Sequence, residues 1–200
     1  MRKRNVNHNL NLLSLQISEF ESYLLSRELY WPLSFRAPAG ERPYLRLTTG
    51  NLLLNVNEIS ANLDALSPTQ QVDFYDLMAT WDMLQRQWLS ALQEKAAAEL
   101  ESRINLWEAY ITDLREQKAY GTHYRVEVRN RVICELIPEQ LEKLPVSTGQ
   151  RARLKKMDGY LGRLFKTGPF LWHEDLESMY PEDPYWYLYG KPVHEENDKR

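Results

Sequence analysis

"SPTQQVDFYDLMATWDMLQRQWLSALQEKAAAELESRINLWEAYITDL", Ser67 to Leu114, carries apolar residues at Phe74, Leu77, Trp81, Leu84, Trp88 and Leu92, then at Leu100, Ile104, Trp107, Ile111 and Leu114. Steps of three and four put them on one stripe of a helix. The start is written as firmly. Ser67 can accept a hydrogen bond from an otherwise unpaired amide, Pro68 suits the first helical position, and Gln70 sits where a capping box reaches back. No proline or glycine follows Pro68 until Gly121. The stretch predicts one helix of about fifty residues, roughly 75 Å long at 1.5 Å per residue. Ala96 to Ala98 mark the place for any bend.

The same periodicity extends outward from this centre. Leu10, Leu13, Ile17, Phe20 and Leu24 predict a first helix over Asn9 to Leu29, and Leu52, Val56, Ile59, Leu63 and Leu66 a second. Between them "YWPLSFRAPAGERPY" holds Pro32, Pro38, Gly40 and Pro43, too many helix breakers for a regular element, so it reads as a long connector packed through its aromatic residues. "THYRVEVRNRVICELI" alternates like a strand at Tyr124, Val126 and Val128, yet fits a helix through Val128, Val132, Ile133, Leu136 and Ile137. With no partner strand nearby it is read as helix. Pro138 then opens or kinks the short element "PEQLEKL", and a last helix runs from about Gln150 to Lys166 with Leu154, Met157, Leu161, Leu164 and Phe165 on one side.

These elements sum to an all-α fold, an antiparallel bundle of five to seven helices with one long central helix and an irregular aromatic C-terminal arm. Residues 1–168 form the bundle domain, 169–192 an aromatic, proline-rich arm laid across it, and 193–200 a disordered tail. At 200 residues the chain can bury a substantial core, and its 43% hydrophobic and 12% aromatic content is globular in character.

A net charge of −3 gives the whole molecule no electrostatic pull toward nucleic acid or anionic lipid. One cysteine, Cys134, excludes an internal disulfide and fits a reducing compartment, so the expected location is cytoplasmic. The basic opening "MRKRN" leads into asparagines and Glu19 instead of an export signal, and no stretch reaches the eighteen or so apolar residues of a membrane span.

Catalytic and metal motifs are sparse. A carboxylate-bridged metal in a bundle needs Glu-x-x-His pairs, which are missing, and His173-Glu174 and His194-Glu195 lack the second histidine of a helical zinc site. No glycine-rich turn between strand and helix offers amides to phosphate, and "DGYLG" at Asp158 to Gly162 lies inside a helical pattern. Cys134 reads as a buried small hydrophobe. The expectation is no metal, no cofactor and no catalytic residue.

One charge asymmetry remains. Arg151, Arg153, Lys155, Lys156, Arg163 and Lys166 face the single acid Asp158, and the preceding short helix and turn give this stretch the rhythm of a helix-turn-helix. Such a face can be solvated, or paired with the arm's own Glu174, Asp175, Glu177, Glu182 and Asp183. It can otherwise take an acidic protein or, less in keeping with the chain's charge, nucleic acid. The second candidate surface is the arm's Tyr185, Trp186, Tyr187 and Tyr189, although Pro181 and Pro184 suit a strap laid on its own bundle. The expected function is a non-catalytic scaffold or adaptor for a protein partner or a second copy of itself. A nucleic-acid-associated regulatory module is the alternative, and an enzyme with an unconventional inter-helix site the third reading.

Overall fold

Ser67 opens its helix with a complete capping box: its Oγ accepts the Gln70 amide at 3.3 Å, and Gln70 Oε1 accepts the Ser67 amide at 3.0 Å. The computed structural model describes residues 6–116, 123–141 and 144–193. Its elements are α1 (Val6–Leu25), α2 (Thr49–Ser60), α3 (Pro68–Gln87), α4 (Leu89–Arg115), α5 (Tyr124–Gln140), α6 (Thr148–Leu164), a strand β1 (Phe165–Thr167), the short α7 (Glu182–Tyr185) and a strand β2 (Gly190–Pro192). The fold is all-α, with an irregular C-terminal arm and one short ribbon.

The helix expected over fifty residues is divided, and at Trp88, not at the alanines. Trp88 leaves helical geometry (φ −114°, ψ 28°), yet its amide still donates to Leu84 O and its carbonyl accepts from Leu92, both at 2.9 Å. Because Trp88 keeps both of its backbone bonds, the break requires neither proline nor glycine there. Ala96 to Ala98 lie inside α4, and the expected stop near Gly121 lies outside the described residues.

The chain forms two compact units, Met1–Glu99 and Leu100–Arg200, with the boundary inside α4. In the N-terminal unit α1 buries Leu10, Leu13, Ile17, Phe20 and Leu24, and Trp81 of α3 meets Phe20 edge-on at 4.9 Å. α2 is buried from Thr49 to Ile59, including Asn51, Asn55 and Asn57. A helix enclosed on all sides is normally apolar, so these amides need partners. Asn55 Nδ2 donates to Asn9 O at 2.9 Å and Gln16 Oε1 at 3.1 Å, and Asn51 Nδ2 donates to Arg46 O at 2.9 Å. Fully buried Glu99 accepts from Thr48 Oγ1 at 2.6 Å and from the Gly50 amide at 2.8 Å. A carboxylate there complements the positive end of the α2 dipole.

In the C-terminal unit the ambiguous stretch is helix: α5 buries Tyr124, Val128, Val132, Ile133, Leu136 and Ile137. Pro138 lies within its last turn and does not open an element of its own; Glu142 and Lys143 of the expected "PEQLEKL" lie outside the described residues. A second capping box, Ser147 with Gln150, starts α6. α6 ends at Leu164, short of Lys166, because Phe165–Thr167 leaves as β1 and pairs antiparallel with β2, Phe165 opposite Pro192 and Thr167 opposite Gly190. Gly190 has φ +145°, and a Cβ there would stand 2.2 Å from Lys166 O, so only glycine fits. Residues from 194 onward, most of the expected tail, lie outside the described residues.

The aromatic arm turns inward. Leu176, Tyr180, Tyr185, Tyr187 and Leu188 are buried, and Trp172, Tyr180 and Tyr185 form a chain of edge-to-face contacts at 5.2 Å each. Trp172 Nε1 donates to Arg125 O at 3.1 Å, and Tyr124 Oη donates to Tyr187 O at 2.6 Å, so the arm's polar ends are held by α5.

Candidate functional site

The face of α6 opposite buried Leu154, Met157 and Leu161 follows from helical spacing. Arg151, Ala152, Lys155, Lys156, Gly159, Gly162 and Arg163 fall there, and all are exposed. Nothing lies within 4 Å of where a Cβ would stand on Gly159 or Gly162, so this side of the helix is open.

Arg153 sits at the edge of that face and is fully engaged. Its Nη1 donates to Glu101 at 2.6 Å, while Nε and Nη2 donate to Glu108 Oε2 at 3.0 and 2.6 Å. Hydrogen bonds from Gln150 and then Arg153 hold the Glu101 carboxyl below its usual range. These acids belong to α4, two helical turns apart, and not to the arm as the sequence suggested. Of the arm acids, Asp175 pairs with His173 at 3.0 Å, while Glu174, Glu177, Glu182 and Asp183 are exposed. The reason is placement: the edge of α6 that carries Arg153 faces α4.

The other cations are matched by no carboxylate of the described residues. Arg151 Nε reaches Val146 O at 3.4 Å, and the Arg163 guanidinium stands 5.7 Å from the Tyr160 ring. Among the described residues no carboxylate lies within ion-pairing distance of Arg151, Lys155, Lys156, Arg163 or Lys166. Asp158, the one acid in the stretch, is held by Arg131 of α5, with Nε to Oδ1 at 3.1 Å and Nη2 to Oδ2 at 3.0 Å.

Of the arm aromatics named as candidate contacts, Tyr185 and Tyr187 are buried, whereas Trp186 and Tyr189 keep partial exposure. Tyr185 Oη donates to Glu139 at 2.7 Å and Tyr189 Oη to Tyr180 O at 2.9 Å.

Sequence reasoning missed the buried centre of this unit. Arg131 is 7% exposed, donates also to Glu135 at 2.8 Å, and stacks its guanidinium 4.7 Å from the Tyr187 ring. Burial opposes its charge, but Tyr187 and Asp158 raise its pKa further above the ordinary value. One signal was available: Arg131 falls seven after Tyr124 and three after Val128, at core spacing.

Four buried phenols belong to the same unit. Burial raises the pKa of Tyr110, Tyr124, Tyr185 and Tyr187 above the ordinary 10.0, with the hydrogen bond to Glu139 adding to the effect at Tyr185 and Arg131 opposing it at Tyr187. A folded pKa above the unfolded one gives stability that is intact below the unfolded value and lost as pH rises beyond it. Above pH 10.0 the unfolded chain releases these protons and the folded chain does not. Each phenol then removes about 1.4 kcal/mol per pH unit. Together the four phenols remove about 5–6 kcal/mol per pH unit against the 5–15 kcal/mol of a domain, so the C-terminal unit should unfold in one step between about pH 11 and 13, with tyrosinate absorbance rising as near-UV dichroism is lost. Tyrosinate appearing well before the dichroism falls would contradict this.

Among the described residues no three His, Cys, Asp or Glu side chains group as metal ligands, Cys134 is buried, and no helix is long and apolar enough to cross a membrane. Compared with models of protein families, with curated proteins and with solved structures, the chain matches none.

Proposed function

We propose that this chain is a non-catalytic helical scaffold that docks an acidic protein surface on the exposed face of α6. The observation that supports it is the set of exposed cations, Arg151, Lys155, Lys156 and Arg163, left without a carboxylate among the described residues, on a chain whose net charge is −3. Uncompensated charge of one sign speeds encounter with a complementary surface and disfavours wrong partners. Ala152, Gly159 and Gly162 between the cations let a partner's backbone come close. A second copy of the chain carries a suitable surface, since α3 exposes Asp73, Asp76 and Asp82 beside Val72, Tyr75 and Met83. The expected setting is the cytoplasm.

The same cations favour one other reading, contact with a nucleic-acid backbone. Fluorescence anisotropy with a labelled acidic helical peptide and a labelled DNA duplex, each titrated at low and at physiological salt, separates the two. The peptide should bind, and Lys155→Glu with Lys156→Glu should weaken it by about tenfold or more. Tighter binding of the duplex, falling steeply with salt, would transfer the function to nucleic acid. Binding of neither, or binding indifferent to the charge reversal, would end both readings. Sedimentation of the wild type alone tests the second copy as partner: association lost on the same reversal supports it, and a monomer at all concentrations excludes it.

A further inference from the structure

We propose that the loop between α1 and α2 is a binding site for a small organic anion with an apolar body, independent of the face on α6. Trp31 and Leu47 exchange backbone hydrogen bonds of 3.0 and 2.9 Å, which brings the two ends of residues 32–46 side by side. A loop of this length with closed ends is an Ω-loop, a form that often carries function.

Its frame is fixed from several directions. The Glu19 carboxylate accepts Trp31 Nε1 at 2.7 Å and the Ser34 amide at 2.9 Å. Glu41 meets buried His8 Nδ1 at 2.6 Å, Arg42 reaches Glu58 at 3.2 Å and also Asn9, and the Tyr44 ring lies 4.9 Å from that of His8. The turn at Pro38 to Glu41 closes with a 3.1 Å bond across Gly40 at φ +86°. Three prolines remove further backbone freedom, so a guest meets walls that are already ordered.

Within this frame lies a half-open pocket of about 500 Å³ lined by Leu33, Phe35, Tyr44 and Leu45 together with Arg36 and Arg46. That volume is in the usual range for small-molecule sites. Phe35 is 71% exposed and Leu45 39%, apolar surface that a guest would cover. Charge selects the guest. Glu41, the acid of the lining, is engaged by His8, whereas Arg36 and Arg46 have no carboxylate partner among the described residues, Arg46 donating only to Tyr30 O at 3.3 Å. A guanidinium fork matches a carboxylate, sulfonate or phosphate edge, and the apolar wall takes the remainder of the molecule.

Isothermal titration of the full chain with anilinonaphthalene sulfonate, and with N-phenylnaphthylamine, the same rings without the sulfonate, tests the site. The sulfonate should bind one per chain and at least tenfold more tightly than the neutral amine. Arg36→Gln with Arg46→Gln should abolish that preference and leave the amine's affinity as it was, while Phe35→Ala should weaken both probes. These substitutions lie on an exposed loop, and an unchanged thermal melt shows that each variant remains folded. Equal affinity for the two probes, no binding of either, or a sulfonate affinity that survives loss of both arginines would overturn the proposal.

Discussion

Ending the chain after Gly168 is expected to leave the C-terminal unit without stable tertiary structure. The deletion removes Leu176, Tyr180, Tyr185, Tyr187 and Leu188, each at most 2% exposed. Burying a large side chain contributes about 1.5–3 kcal/mol, so five of them approach the 5–15 kcal/mol that a whole domain has to spare. The loss spreads further, because β1 loses its strand partner β2 and Tyr124 Oη its acceptor at Tyr187 O. Near-UV dichroism and a thermal melt would read the result. A truncated chain that keeps the full dichroism and melts where the intact chain does would show that the arm adds nothing to the unit. A milder probe, Tyr180→Ala, should cost about 3–5 kcal/mol, as removal of a buried ring commonly does.

Much of the architecture was written in local patterns. The stripe from Leu10 to Leu24 and the capping box at Ser67 were legible because spacing and side-chain chemistry act within a few residues. What escaped depends on distant partners. β1 and β2 are three residues each, too short to alternate, and they find each other across more than twenty residues of arm. The break at Trp88 changes two dihedral angles while keeping both hydrogen bonds, so periodicity is blind to it. The polarity of α2 was passed over because Leu52, Val56 and Ile59 alone satisfied a helical stripe, although Asn51, Asn55 and Asn57 are just as buried.

The candidate surfaces divide along the same line. The cations of α6 were legible from composition, since a helix that buries one stripe must expose the other. Which of them stay unmatched was not, because the acids that take Arg153 come from α4, far away in sequence. In the loop after α1 the proline density announced a connector, but the bridge that brings its ends together around a half-open pocket joins Trp31 to Leu47 through backbone groups that carry no sequence signature.

Arg131→Met should be the most destabilising single substitution among the ion-paired residues, at about 3–5 kcal/mol, because removing one partner leaves the other charge buried. Three hydrogen bonds to Asp158 disappear together, and Asp158, with its side chain 18% exposed, has little water to replace them. Glu135 is 33% exposed and can turn to solvent, so the damage concentrates on Asp158. Contact with the Tyr187 ring is lost as well, an interaction of about 0.5–2 kcal/mol. Arg131→Met combined with Asp158→Leu should recover most of the stability, since two apolar side chains in place of a buried pair are often neutral. Urea denaturation of the two single variants and the double variant forms a closed cycle whose coupling measures the pair directly. A cost below about 1 kcal/mol for Arg131→Met, or a double variant as unstable as the two singles combined, would mean that the pair is not a coupled unit. The expected coupling instead makes Arg131 the residue through which α5, α6 and the arm hold one another, since its guanidinium touches Asp158 of α6 and Tyr187 of the arm at once.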